Sequence, residues 1–380
     1  MMVVPLDGED VRRVNEGGAP PALSARAEER RRVAALVARH GADALDHLHL
    51  RPDRSYLFAP EGDGVVSYRV DGRVALLGGD PVCAPAARPL LVAHARRALA
   101  ARGLTVCVVG ASAAAARAYM EAGLRAVKLG EEAIIDLPAF DAARLRPKVR
   151  RAARHIAARG VALHDGTMAG LDPVLAAQCP AVARAWLARH GGVLQGFSMG
   201  GGPVPGPEDD AYRVVLAARA GRVLGFVTLA PAPAARGLSL DHMRRLPDAP
   251  NGLMEALILH AAVAARDAGA ATLSLNFAPF CDEECPEGEG AAICAVRRAV
   301  FRHAPGVPAC TLYLFNRKFA PRWACRYWLY GGKREVYAAC RATVRAEGAA
   351  LRLPPALAAA ALAAPLLALP DRLAQPALAR

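Results

Sequence analysis

Residues 144–159 read RLRPKVRRAARHIAAR, and this basic stretch divides the chain into two parts. Pro147 suits the first turn of a helix. On a helix, Val149 and Ile156 share one face with alanines, while the basic side chains share the other. No acid is interleaved to relieve the repulsion between these charges. The stretch predicts a linker helix that binds phosphate backbone or lipid headgroups, with a merely solvated face as the alternative. The predicted anion-binding residues on this helix are Lys148, Arg150, Arg151 and Arg154.

Outward from the linker, a similar order of elements is predicted on each side. Before it, the patterns predict a helix from Ser24 to about His40, strands Val65–Val70 and Val74–Gly78, a helix Arg88–Arg102, a strand Leu104–Val109, a helix Ala113–Glu121 and an extended stretch Leu124–Leu137. After it, they predict strands Tyr212–Ala218, Arg222–Ala230 and Gly237–Met243, a helix Leu253–Ala268, and strands Thr272–Asn276 and Cys310–Asn316. Mixed strands and helices in a repeated order indicate one α/β fold used twice.

A chain of 380 residues is longer than one core usually holds, so more than one domain is expected. We expect a flexible lead over 1–22, a first domain over 23–140 and the linker over 141–160. A second, catalytic domain is expected over 161–350, followed by an alanine-rich tail over 351–380.

Composition limits the class of protein. The chain has 48 Lys and Arg against 35 Asp and Glu, a formal charge of +13, so an anionic partner is expected. Its longest apolar stretch, near Pro355–Pro370, is too short and too broken to span a bilayer, and acids in Met1–Asp10 argue against a signal peptide. These features indicate a cytoplasmic protein.

Nine cysteines are expected to be reduced thiols in that compartment. The group Cys281, Cys285 and Cys294 lacks the spacing of a zinc knuckle and a clear fourth ligand, so a metal site is disfavoured. No cofactor is expected.

Short motifs occur in a fixed order along the chain. They are GDP at 79–81, WL at 186–187, GFSMG at 196–200, LDHMR at 240–244, PDAPNG at 247–252, NFAPF at 276–280, KFAPRW at 318–323 and RY at 326–327. The series resembles the cytosolic domain of the phosphatidylglycerol lysyltransferases, in a form without the membrane flippase half. The resemblance implies tandem GNAT-like (acyltransferase) folds joined by a basic helix. It also implies transfer of an aminoacyl group from charged tRNA to a hydroxyl of phosphatidylglycerol.

The rival within this fold is an acetyl-CoA enzyme. Such enzymes grip pyrophosphate with a glycine-rich loop before a helix. The corresponding loop here, 245–252, has prolines and Asp248 where close-packed amides would be needed. Use of acetyl-CoA is therefore disfavoured.

The resemblance also assigns residues to roles. Asp241 and Arg244 match the family's Asp-x-x-Arg. Asp241 would hold the α-ammonium or accept a proton, and Arg244 would bind a phosphate or the terminal ribose. Because side chains alternate along a strand, His242 is expected to face away from Asp241. Lys318 is the third predicted catalytic residue. The predicted substrate-binding residues are Tyr212, Asn276, Trp323, Arg326 and Tyr327.

The segment 315–345 combines eight basic residues with several aromatic ones and a single acid. Such composition is typical of a site for an RNA end or of a lipid interface. A basic rim over an aromatic core is the alternative. Arg317 and Arg322 are predicted to bind tRNA or another anion.

The expected partners are aminoacyl-tRNA, not DNA, and an acceptor that is either an anionic lipid or a soluble small molecule. Weak, salt-reversible association with a membrane surface is expected if the acceptor is a lipid. A non-catalytic module that binds RNA or membranes is the remaining alternative.

Overall fold

The computed structural model describes residues 23–189, 196–198, 202–281 and 309–347, and one mixed sheet runs through them. The predicted lead over 1–22 and the tail over 351–380 lie outside the described residues. The strands are β1 Ser55–Phe58, β2 Val65–Asp71, β3 Val74–Gly78, β4 Thr105–Ser112, β5 Arg125–Asp136, β6 Ala162–Gly166, β7 Arg213–Arg219, β8 Arg222–Ala232, β9 Gly237–Arg245, β10 Thr272–Pro279 and β11 Arg322–Tyr330. Their order across the sheet is β1-β2-β3-β4-β11-β5-β10-β9-β8-β7-β6.

Helices cover both faces of this sheet. The α-helices are α1 Leu23–His40, α2 Arg88–Ala101, α3 Ala113–Glu121, α4 Pro147–Ala158, α5 Pro173–Ala176, α6 Cys179–Arg189, α7 Leu253–Asp267, α8 Ala309–Asn316 and α9 Val336–Ala346. A short 3-10 helix, Asp46–Leu50, also contributes to the site described below. No described helix has the length and hydropathy needed to cross a bilayer.

The two halves of the chain repeat one arrangement. β1, β2 and β3 pair antiparallel, and β3 then pairs in parallel with β4. β6, β7, β8 and β9 likewise pair antiparallel, and β9 then pairs in parallel with β10. The α/β fold used twice, as the sequence predicted, is confirmed.

The last strand crosses from one half to the other. β11 follows the second half in sequence but is hydrogen-bonded between β4 and β5 of the first half. β10 of the second half pairs with β5 on its other edge, so the sheet is continuous. The domain boundaries at 140 and 160 stay a prediction, because strand pairing joins the predicted domains in one continuous sheet.

One predicted strand is wrong. Residues Cys310–Asn316 lie in helix α8, and the strand forms instead at Arg322–Tyr330. A short apolar run does not distinguish strand from helix by periodicity alone. The segment 322–330 is rich in aromatic residues, which suit a strand that packs on both faces.

The basic linker forms helix α4, as predicted. Val149 and Ile156 are fully buried against the core that α7 shares with the sheet. A Cβ added to Gly252, just before α7, would lie 2.9 Å from the Cβ of Ala152, so the two helices pack closely there. The four predicted anion-binding side chains of α4 are exposed on its other face.

Candidate functional site

The candidate site lies where strands β9 and β10 separate. Their parallel pairing ends at Ser239 and Ser274. Just beyond it, Asn276 adopts a left-handed conformation with φ of 65°, which asparagine tolerates better than most residues. Its side-chain amide donates a hydrogen bond to the carbonyl of Leu240 on β9, at 3.3 Å. Asn276, predicted to bind substrate, thus holds the two strands together where they diverge.

A β-bulge in β9 re-aims Asp241. In the pairing with β8, Thr228 lies opposite His242 and Leu229 opposite Leu240, so Asp241 is the extra residue. A bulge interrupts the alternation of side chains. As a result, His242 Nδ1 lies 2.9 Å from Asp241 Oδ2. The expectation that His242 faces away from Asp241 is therefore wrong.

A second histidine reaches Asp241 from the first half of the chain. His47, in the 3-10 helix Asp46–Leu50, places its Nε2 at 3.5 Å from Asp241 Oδ1. Both side chains are nearly enclosed, with 4% and 8% of their surface exposed. Sequence reasoning missed His47. The sequence signal for His47 is weak, because the segment DHLHL contains two histidines and no neighbouring residue indicates which of them belongs to a site.

The two imidazoles keep the Asp241 carboxyl ionised. Burial alone would raise its pKa, because the charged form is poorly solvated there. Hydrogen bonds and electrostatic attraction from His242 and His47 outweigh burial and hold the pKa of Asp241 below its usual range. The site therefore presents a buried anion at neutral pH.

Tyr212 is a neighbour of this anion. Burial first, and then the charges of Asp241 and Asp209, raise the pKa of the Tyr212 phenol above its usual value. The phenol therefore stays protonated and can donate a hydrogen bond.

Arg244 completes the predicted pair with Asp241. Its guanidinium lies over the ring of Trp186, on α6, with 3.9 Å between its Cζ and the ring centroid. Burial lowers the pKa of Arg244 to about 10, against the attraction of Asp241, so the group is still a cation at neutral pH. A cation on an aromatic face is held in place and keeps its charge.

Lys318, the third predicted catalytic residue, lies in the 3-10 helix Arg317–Phe319. Its Nζ forms an ion pair of 2.7 Å with Glu255, in the first turn of α7. Because α7 follows β9 through a short loop, this ion pair lies at the same end of β9 as Arg244. Sequence reasoning missed Glu255 as the partner of Lys318.

Arg326 binds protein carboxylates. Its buried guanidinium pairs with Asp43 at 2.7 Å, with Glu132, and with the carbonyl of Gly110 at 3.1 Å. Burial alone would lower the pKa of Arg326, but these carboxylates raise it above its usual range. Its assignment to substrate binding stays a prediction, and the contacts seen are those of a structural ion pair.

The aromatic residues near Arg326 are mostly core. Tyr327, Trp328 and Tyr330 are buried, and the last two stack with 5.0 Å between ring centroids. Trp323 is half-buried and packs against Tyr313. Around them, Arg317 and Arg322 are exposed. The described residues of the segment 315–345 therefore match the alternative interpretation, a basic rim over an aromatic core.

The cysteine group is described in part. Cys281 is buried, and its thiol donates a hydrogen bond to Glu131 at 3.4 Å, while Cys285 and Cys294 lie outside the described residues. Across the described ranges, no three His, Cys, Asp or Glu side chains are placed to hold a metal ion.

Comparisons with known proteins span both halves of the chain. The family model described as "Phosphatidylglycerol lysyltransferase, C-terminal" matches residues 34–330. A curated relative, the lysylphosphatidylglycerol biosynthesis bifunctional protein LysX of Nocardia farcinica, is 35% identical over 317 residues. That match covers 82% of this chain and 28% of the relative, so the chain spans under a third of the length of that relative.

Two solved structures share the fold. The C-terminal domain of a putative lysylphosphatidylglycerol synthetase from Agrobacterium fabrum is 25% identical, with a TM-score of 0.71, over 86% of this chain and 99% of that one. L-PGS from Bacillus licheniformis is 22% identical, with a TM-score of 0.70, over 83% and 96%. The tandem GNAT-like fold expected from the sequence is confirmed by this likeness and by the repeated sheet topology.

Proposed function

The chain belongs to the phosphatidylglycerol lysyltransferase C-terminal family, and we propose that it is an aminoacyltransferase that uses aminoacyl-tRNA as donor and an anionic lipid, phosphatidylglycerol or a relative, as acceptor. The observation that carries the proposal is the pair Asp241 and Arg244, where β9 and β10 separate. One is a buried anion and the other a cation held on an aromatic ring. These are the two charges that the end of an aminoacyl-tRNA requires.

In this proposal Asp241 binds the α-ammonium of the aminoacyl group. The carboxylate is ionised and fixed by two imidazoles, so it attracts a cation without reorganising. Arg244 binds a phosphate or the terminal ribose of the tRNA, and Tyr212 supplies a hydrogen-bond donor beside Asp241. An ester is already an activated acyl donor, so positioning these groups supplies much of the catalysis.

The tRNA body would lie along α4. Its exposed Lys148, Arg150, Arg151 and Arg154 form no ion pair with any acid in the described part of the chain, so they are available to phosphates. The opposite, apolar face of α4 packs on the start of α7, the helix whose first turn carries Glu255, the partner of Lys318. Arg317 and Arg322 are also exposed and supply two further cations.

A lipid acceptor fits the same surface. Each cation near an anionic leaflet contributes about 1 kcal/mol. The exposed cations of α4, with Arg317 and Arg322, would therefore support weak association with a membrane surface that salt reverses.

The first prediction tests the pair directly. The purified protein is incubated with radiolabelled aminoacyl-tRNAs and phosphatidylglycerol vesicles, and the lipid products are separated by chromatography. We expect labelled lipid with the wild-type protein, and a loss of about 100-fold or more with Asp241→Asn and with Arg244→Ala, because each removes a charge that positions the donor.

The control is Asp165→Asn, which removes another histidine-paired carboxylate, bonded to His260 at 2.8 Å on the surface. It should leave transfer unchanged. Wild-type rates in either site variant would contradict the assignment. Label only in a water-soluble product would instead identify a soluble acceptor.

A further inference from the structure

Transfer to phosphatidylglycerol requires a site for the phosphate of the acceptor as well as one for the aminoacyl group. In this lipid the phosphate and the attacking hydroxyl belong to one small glycerol head group, so the phosphate has to lie close to the reaction centre. The cations assigned so far, Arg244 and the basic face of α4, serve the tRNA in the proposed function. This inference rests on that function and asks which side chains bind the phosphodiester of the acceptor.

Three arginines surround one carboxylate just after the 3-10 helix Asp46–Leu50. Asp53 Oδ1 lies 3.5 Å from Arg51 Nε and 3.8 Å from Arg54 Nε. Asp53 Oδ2 lies 3.4 Å from Arg69 Nη1, on β2. We call these four residues the arginine cluster. All three distances exceed the ~2.7–2.9 Å of a tight charge-assisted hydrogen bond, so the three cations share one carboxylate loosely.

The arginine cluster carries more positive charge than its neighbouring carboxyls can neutralise. Burial would raise the pKa of Asp53, but the three arginines lower it below its usual value, so Asp53 is ionised. Within the described ranges, the carboxyls that act most strongly on Arg54 are Asp53 and Glu347. Three cations thus face two carboxyls. A cation in excess at a largely buried position is costly unless an anion neutralises it.

Arg54 also has a hydrogen-bond donor that the described part of the chain does not use. Its side chain is fully buried, and its Nε and Nη2 donate to the carbonyls of Leu48 and Phe197. Its Nη1 is buried and has no hydrogen-bond partner among the described residues, although buried donors are normally satisfied. Arg51 and Arg69 keep 19% and 24% of their side-chain surface exposed, so the arginine cluster is recessed but open to solvent.

The arginine cluster is connected to the candidate site in two ways. Arg51 directly follows the 3-10 helix whose His47 reaches the site, and at about 2 Å per residue the two positions are about 8 Å apart along the helix axis. Arg51 also donates a hydrogen bond to the carbonyl of Gly196. Six residues further along that segment, the carbonyl of Gly202 lies 3.1 Å from Nε2 of His242. An anion bound at the arginine cluster would therefore lie beside the candidate site.

We propose that the arginine cluster binds the phosphodiester of the acceptor head group, so that the first half of the chain supplies the lipid site for a reaction carried out by the second. A phosphodiester has a single negative charge, which matches an excess of one cation. Guanidinium groups bind phosphate oxygens in pairs, and Arg51 and Arg69 present theirs to solvent, with Nη1 of Arg54 as a buried donor. The many phosphates of a tRNA suit the exposed face of α4 better than this recess.

Binding of the soluble head group tests the site without transfer. Glycerophosphoglycerol, the deacylated form of the lipid, is titrated into the wild-type protein and into Arg51→Gln and Arg69→Gln in a calorimeter. We expect the wild-type protein to bind it, and each variant to bind about 10-fold more weakly because a charge-assisted hydrogen bond is lost. Inorganic phosphate is titrated in parallel. Equal affinity for inorganic phosphate would identify a site for free anions and overturn the assignment to the lipid.

Steady-state transfer from lysyl-tRNA to phosphatidylglycerol vesicles separates the two substrates. Arg69→Gln should raise the KM for phosphatidylglycerol by about 10-fold, while kcat and the KM for lysyl-tRNA change little. A residue that only held the fold together would change all three quantities. Arg69→Lys, which keeps the charge but loses the paired donors, should fall between the wild-type protein and Arg69→Gln.

The matched control is Arg345→Gln, which removes an arginine with the same 3.4 Å contact to an aspartate, Asp71 at the end of β2. It should leave head-group affinity and both KM values unchanged. A wild-type protein that binds no head group, unchanged head-group affinity in Arg69→Gln, or a rise in the KM for lysyl-tRNA instead, overturns the inference alone. A protein that binds the head group through the arginine cluster but transfers no lysine overturns the proposed function and leaves the phosphate site standing.

Discussion

Asp80 occupies in the first half the position that Asp241 occupies in the second. Each lies two residues past the last residue of its strand that pairs in parallel, Gly78 in β3 and Ser239 in β9. The 3-10 helix Asp46–Leu50 faces both, with His47 at the Asp241 carboxylate and His49 at the Asp80 carbonyl, 3.1 Å away. The Asp80 carboxyl instead accepts hydrogen bonds from the backbone and side chain of Ser112. Asp80 is therefore a structural carboxyl, whereas in the proposed function Asp241 binds the substrate.

The protonation of Asp80 should be visible in stability. Burial first, and then the charge of Asp43, raise its pKa from 3.8 to about 6. The folded state therefore binds this proton more tightly than the unfolded state, so the contribution of Asp80 to stability is largest in acid and is lost as pH rises through about 6. When the pH is lowered from about 7.5 to about 5, protonation of Asp80 should raise the unfolding free energy of the wild-type protein by about 1 kcal/mol. We expect this gain to be absent in Asp80→Asn.

Urea unfolding at the two pH values measures this difference. Asp136→Asn, which changes an exposed carboxyl at the end of β5, is the control and should keep the wild-type pH dependence. An Asp80→Asn protein with the same pH dependence as the wild-type protein would show that Asp80 titrates as an ordinary carboxyl.

Among the helices and strands, α4 was the easiest to predict from the sequence and β11 was the hardest. The apolar residues of α4 follow the helical period, which predicts its buried face. Its basic residues repel one another, and only solvent or an anion relieves that repulsion, so they are predicted to lie on the exposed face. The segment of β11 carries basic and aromatic residues that suit an RNA site equally well. Only its pairing with β4 and β5 shows that the aromatic side chains are core.

The basic face of α4 should dominate the salt dependence of tRNA binding. Each phosphate contact contributes about 0.7–0.9 to the slope of log K against log salt. Replacing Arg150, Arg151 and Arg154 by glutamine should therefore lower the slope by about 2. Filter binding or fluorescence anisotropy at several salt concentrations measures it.

A control triple variant makes the same change in charge on another surface of the protein. Arg96, Arg97 and Arg102 are exposed on α2 and at its end, and their replacement by glutamine should leave the slope unchanged. Equal slopes for the α4 variant and the wild-type protein would place the tRNA elsewhere, with Arg317 and Arg322 the next surface to test.

For the whole molecule, β11 makes the two halves interdependent. Residues 23–160 expressed alone lack β11 and β10, so β4 would expose one unpaired edge and β5 would expose two. Asp43 and Glu132 would also lose Arg326, and an unpaired buried charge costs about 3–5 kcal/mol. We expect this fragment to be unfolded or aggregated by circular dichroism and size-exclusion chromatography.

Co-expression provides the control. Residues 161–347 supply β11 and should rescue the first fragment and co-purify with it, whereas 161–320, which ends before β11, should not. A folded, monomeric 23–160 fragment would show that the first half is independent of β11.

Local periodicity and short motifs were enough to predict two α/β halves, the basic linker helix, the family, and Asp241 and Arg244 as the first candidate site residues. The tertiary structure alone placed β11, paired Lys318 with Glu255, gave Arg326 its carboxylates and brought His47 to Asp241. These contacts join residues 63 to 283 positions apart. Whether such residues meet depends on strand pairing and burial across the whole sheet. The bulge at Asp241 belongs with them, since a single unpaired residue in β9 leaves no trace in an alternating pattern of side chains.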